Sequence, residues 1–110
     1  MLDELTFRRN ADVALESLKQ SLIVAEETSD FEVEEQSGAL NIVFEEPPGK
    51  FVVTPNAPVR QIWISALSTS FKLDWSEEAN DFVFSKGEQF KPLIARLINQ
   101  HLGSDSVVLT

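Results

Sequence analysis

Asp30, Glu32 and Glu34 fall at every second position of the stretch DFEVEE, the spacing that puts side chains on one face of an extended strand. Carboxylates are hard oxygen donors, so such a row suits a hard cation or a basic protein surface. Alternate strand positions stand about 6.6 Å apart, so Asp30 and Glu32 could share one ion only through flexible, hydrated ligands. A metal held that way is bound weakly and with little selectivity. A second stretch, PVRQIWISA at 58–66, poses a different question. Read as a strand, it turns Arg60, Ile62, Ile64 and Ala66 to one face and Gln61, Trp63 and Ser65 to the other. The isoleucines claim the core. A tryptophan beside a glutamine and a serine is then displayed, and an exposed aromatic amid polar groups has the composition of a binding hot spot.

The residues that are missing narrow the chemistry further. With no cysteine in 110 residues, disulfides, thiolate zinc sites, cysteine nucleophiles and self-held iron–sulfur clusters are excluded. A single histidine, His101, makes a histidine-rich metal site an equally poor expectation. No Ser/His/Asp arrangement, glycine-rich phosphate loop or HExxH motif is present. Carboxylates on an open sheet also lack the buried pocket that tunes acid–base catalysis. The chain reads as a binding protein rather than an enzyme. Its charge is lopsided: residues 1–50 carry 12 acids and 4 bases, whereas residues 51–110 carry 6 and 5. The acidic half repels nucleic-acid phosphates and anionic membranes. No stretch approaches the roughly 20 apolar residues that span a bilayer. The opening MLDELTFRRN has no apolar signal run and carries acids.

The elements that must position these residues follow from periodicity. Phe7, Ala11, Leu15, Leu18 and Leu22 recur at three- or four-residue steps and predict a helix over 4–25. Alternation then predicts short strands through DFEVEE, ALNIVFEE, KFVVT, QIWISA, SFKLDW and DFVFS, with a turn at Ser37-Gly38. Phe90, Leu93, Ile94, Leu97, Ile98 and Leu102 predict a second helix over 90–102. Pro92 is tolerated in its first turn, and Gly103 is a natural stop. Helix, five to six antiparallel strands, helix, with no linker or repeat, predicts one domain over 1–110. Its fold class is α+β, a two-layer sandwich with both helices on one face of the sheet. The other face is left to solvent, carrying Asp30, Glu32, Glu34, Asn41, Thr54, Gln61, Trp63, Ser65, Lys72 and Asp74. Trp75 alternates with Phe71 and Leu73 and is expected in the core. His101 is expected to pack or cap, and the final SVVLT to lie in a groove between the helices.

With those elements in order, the sequence resembles the frataxin family over nearly its whole length. PVRQIWISALSTSFKLDW carries the most specific similarity, with both tryptophan contexts in register. Phe7-x-Arg9-x-Ala11-Asp12, the Ser-Gly-x-Leu turn at 37–40 and the last apolar helix fall in the expected order. The resemblance implies a bacterial cytoplasmic accessory protein of iron–sulfur cluster assembly. Such a protein would bind iron weakly through surface acids and dock on a cysteine desulfurase–scaffold complex. It also implies a monomer, for which iron loading is the condition of any oligomer. Carried over residue by residue, the partner contacts would be Thr54, Asn56, Arg60, Gln61, Ile62, Trp63 and Lys72. The family usually has asparagine at the position of Thr54 and arginine near Lys72. The acids left for iron, ferrous or ferric, are Asp12, Glu16, Glu26, Glu27, Asp30, Glu32 and Glu34. Where the family crowds acids on the first helix, this chain has Lys19, Gln20, Ile23 and Val24. Two alternatives therefore stand beside the iron-linked regulator: a protein adaptor that has lost iron binding, and a weak ferroxidase.

Overall fold

A computed structural model describes residues 3–110. The chain runs α1 (Glu4–Glu26), β1 (Phe31–Gln36), β2 (Ala39–Glu45), β3 (Pro48–Asn56), β4 (Gln61–Ala66), β5 (Thr69–Ser76), β6 (Asp81–Phe84), β7 (Glu88–Gln89) and α2 (Phe90–Leu102). Each strand pairs antiparallel with its neighbours in sequence, giving the sheet order β1-β2-β3-β4-β5-β6-β7. The helices and most of the strands stand where the periodicity placed them. β7 is the strand that alternation did not reveal, because two residues are too short to show a period. It forms by pairing Glu88 and Gln89 with Phe84 and Val83.

Asp3 caps α1, its carboxylate accepting from the Thr6 N–H at 2.8 Å. That bond holds the Asp3 carboxyl below its ordinary value. α1 starts near β6, where Phe7 meets Phe82 edge to face at 5.8 Å, and ends over β1. α2 starts beside Asp81, whose carboxylate accepts from the Phe90 N–H, and ends where His101 lies on Phe44 of β2. Both helices thus cover one face of the sheet. Phe7, Leu18 and Leu22 of α1 and Leu93, Ile94, Leu97 and Ile98 of α2 bury against Ile42, Phe51, Val53, Ile62, Ile64, Leu73 and Phe82. The last residues return along the groove between the helices. Asn99 exchanges hydrogen bonds with the Val107 backbone, and the Thr110 carbonyl accepts from Ser21 of α1 and Lys91 of α2.

Two hairpin turns have two residues each with positive φ: Ser37 and Gly38 between β1 and β2, and Leu67 and Ser68 between β4 and β5. The second pair has no glycine, so it holds two side-chain-bearing residues in the left-handed region. Trp75 packs against the core edge to face with Phe82 at 5.2 Å, though it keeps some exposure. His101 is packed as expected. Its Nε2 lies 2.7 Å from the Pro47 carbonyl, and its ring is tilted on Phe44 at 4.2 Å. No helix among the described residues is long and apolar enough to cross a membrane.

Candidate functional site

The face of the sheet turned away from the helices holds an ordered polar–aromatic cluster. Register sets Gln61 opposite Asp74 across β4 and β5, and Trp63 opposite Lys72 on one side and Thr54 on the other. The indole N–H of Trp63 donates to Gln61 Oε1 at 2.8 Å, and Gln61 Nε2 donates to Asp74 Oδ1 at 3.1 Å. The Lys72 ammonium stands 4.7 Å from the centre of the Trp63 ring, within reach of a cation–π contact. Trp63 is half-buried by these neighbours rather than fully displayed. Thr54 and Asn56 lie on the same face of β3, beside Trp63 and Gln61.

Two of the sequence-derived partner contacts do not belong to this face. Ile62 has no exposed surface; it points into the core, as alternation along β4 requires. Arg60 is not on the strand at all. It closes the 3-10 turn Ala57–Val59 with φ 56°, and its guanidinium folds back onto the Ala57 carbonyl. Its Nε is buried without a partner among the described residues. Asn41, placed outward by alternation, is only 7% exposed because it lies mid-sheet between Glu34 and Val52. Asp74 was not among the partner contacts read from the sequence. Its signal was the Gln61–Asp74 register, which sequence alone does not give.

The acids divide by position. Glu26, Glu27, Asp30 and Glu32 line one open groove at the end of α1 and the start of β1, together with Glu45 and Glu46. The last two went unrecognised because the β1–β2 register, which pairs Phe31 with Phe44, is what carries them past the start of β1. Asp12 and Glu16 do not join this groove: Asp12 lies about 21 Å along the helix from Glu26 at 1.5 Å per residue. Glu16 instead accepts from Gln20 at 2.8 Å. Glu34 is exposed on β1 outside the groove. Glu26 is committed to structure, accepting the Val33 N–H at 2.9 Å on the free edge of β1. Lys19 salt-bridges Glu35 on the same edge at 3.3 Å. These two contacts blunt an edge that would otherwise pair with another strand. Among the described residues, no three His, Cys, Asp or Glu side chains converge closely enough to hold a metal ion.

A frataxin-like domain model matches residues 1–104. The chain belongs to the frataxin-like family. Its relatives include the "Iron-sulfur cluster assembly protein CyaY" of Pseudomonas fluorescens strain Pf0-1, 28% identical over 105 residues, which span 94% of this chain and 93% of that one. The protein of the same name from Azotobacter vinelandii is 27% identical over 94 residues, covering 83% and 84%. The solved frataxin from Psychromonas ingrahamii superposes with a TM-score of 0.82 over 99% of both chains at 16% identity, a likeness of fold. Within this frataxin-like sandwich, the Trp63 cluster and the acidic groove occupy different parts of the sheet. The groove lies at the β1 edge, whereas the cluster lies on β3 to β5.

Proposed function

We propose that this frataxin-like chain is a non-enzymatic accessory protein of iron–sulfur cluster assembly. It docks through the Trp63 face of its sheet onto a cysteine desulfurase–scaffold complex. The observation that carries this reading is the Trp63–Gln61–Asp74–Lys72 cluster, an aromatic held in place on a face that no helix covers. A tethered tryptophan loses little side-chain freedom when a partner closes over it, the condition under which aromatic anchors dominate an interface. The names of the relatives, iron–sulfur cluster assembly proteins, support this pathway. Purified chain should bind a desulfurase–scaffold complex, and Trp63→Ala should weaken that binding by about 2 kcal/mol, roughly 30-fold. An unchanged affinity would overturn it.

Iron enters as cargo at the acidic groove. Its donors are all carboxylate oxygens, which suit ferrous iron and other hard cations alike. Because no three of them converge, a cation there keeps most of its water and is held loosely, so calcium or manganese competes. Any oxidation of that iron is a side activity. The same lack of convergence, with Lys19 tied to Glu35 and Ile23 and Val24 exposed on α1, favours the second reading, an adaptor without iron. Anaerobic ferrous titration separates them. Weak heat that calcium suppresses supports the cargo role, and no heat leaves the adaptor.

A further inference from the structure

We propose that Asp74 is a positioning residue for the docking face: it fixes the orientation of the Gln61 amide and, through it, the aim of the Trp63 ring. This inference rests on the docking role of Trp63 given above. An ionised carboxylate only accepts hydrogen bonds and an indole N–H only donates, whereas the glutamine amide has one end of each kind. Only one amide orientation satisfies both neighbours: NH2 toward Asp74 at 3.1 Å and oxygen toward the Trp63 indole at 2.8 Å. Remove the carboxylate, and the amide is free to turn its NH2 group toward the indole, where two donors face each other. Gln61 lies opposite Asp74 in register, and Trp63 follows two residues later on the same face, so the relay spans only two strands.

Lys72 completes the mount by lying over the ring face while Gln61 holds the N–H end. The indole N–H is thus spent inside the molecule, and a partner meets ring carbon rather than a donor. Lys72 has no salt-bridge partner among the described residues, in a chain of net charge −9. Its ammonium donors remain open beside the ring.

The test uses the isotope-labelled full chain and the two tryptophan indole N–H signals, assigned with Trp75→Phe. Asp74→Ala should shift the Trp63 indole signal and speed its solvent exchange by about five-fold, the loss of one hydrogen-bonded support. The Trp75 signal should stay in place. Asp74→Asn keeps an acceptor oxygen and should restore most of the protection. Asp74→Ala should also weaken binding to the desulfurase–scaffold complex by about five-fold, yet have no further effect in a Trp63→Phe background, which lacks the N–H. An unmoved Trp63 signal in Asp74→Ala overturns the proposal. So does a binding loss that persists in Trp63→Phe, because Asp74 would then touch the partner itself. If the indole signal responds while Trp63→Ala binds normally, the positioning stands and the docking role falls.

Discussion

Gly49→Ala is expected to destabilise the protein through one identifiable collision. Gly49 is the second residue of β3 and its backbone is outside the left-handed region, so alanine meets no left-handed penalty there. The space is the obstacle: an added Cβ would lie 2.7 Å from His101 Cε1 and 3.3 Å from its Nε2. The imidazole cannot simply swing aside. It is held by the Pro47 carbonyl at 2.7 Å, rests on Phe44 at 4.2 Å and meets Phe51 edge to face at 5.8 Å. Overpacking a fitted site costs about 1–3 kcal/mol, and losing the Pro47 bond lies within that range. At roughly 4 °C or more per kcal/mol for a domain of this size, the melting temperature should fall visibly. Urea unfolding followed by circular dichroism measures the change, with Gly49→Ala, His101→Ala and the double variant compared at constant m. Once the ring is gone the new methyl has room, so the double variant should be at least about 1 kcal/mol more stable than the two single losses predict. A neutral Gly49→Ala, or strictly additive losses, would refute the collision.

Trp63→Ala should cost roughly 1–2.5 kcal/mol of stability, one hydrogen bond and one exposed cation–π contact. Phe82→Ala, in the core between Phe7 and Trp75, should cost about 3–5 kcal/mol in the same urea titration. Ser68→Gly should stabilise the chain by about 1 kcal/mol, because glycine accepts the φ of 61° that serine holds under strain, and thermal unfolding reads it directly. Arg96 donates two hydrogen bonds to Glu88, at 2.7 and 2.9 Å, and holds that carboxyl below its ordinary value of 4.5. A depressed folded pKa stabilises above the unfolded value and is lost as pH falls through the folded one. The stability gap between wild type and Arg96→Gln should therefore be present at neutral pH and close below about pH 4.5. Raising salt from 0.05 M to 0.5 M shortens the Debye length from about 14 Å to about 4 Å. If the acidic β1 edge meets a basic surface on the proposed partner, association should slow sharply while dissociation changes little in stopped-flow traces.

The sequence made the faces of this fold legible and left their registration dark. Three- and four-residue spacing located α1 and α2, and alternation sorted Leu40, Ile42 and Phe44 from the open face, because those periods are properties of a single element. Alternation also held the answer for Ile62, which the family comparison of contacts displaced. What no single element contains is the pairing of one with another. The opposition of Gln61 to Asp74, and the passage of Glu45 and Glu46 beside Asp30, depend on inter-strand register. Of the seven acids, Glu26, Glu27, Asp30 and Glu32 share one groove, and Asp12 and Glu16 stand apart from it. The length of α1 carries Asp12 and Glu16 away from the groove, a distance that a resemblance in sequence does not express. Arg60 was lost to a tight turn whose left-handed closing residue has no glycine to announce it.

A sheet in which every strand pairs with its sequence neighbour also dictates how the molecule comes into being. Each hairpin can zip as soon as its second strand leaves the ribosome, so contact order within the sheet is low. The last strand of the Trp63 cluster, β5, is finished by Ser76. α2 and the segment that bridges it to α1 come afterwards, and at synthesis rates of about 5–20 residues per second they lag by seconds. For that interval the side of the sheet bearing Ile42, Ile62 and Leu73 has only α1 to shelter it. Until α2 docks, the emerged sheet presents the finished Trp63 face on one side and an unsealed apolar face on the other. Such a nascent chain has its polar face complete while its apolar face remains prone to aggregate.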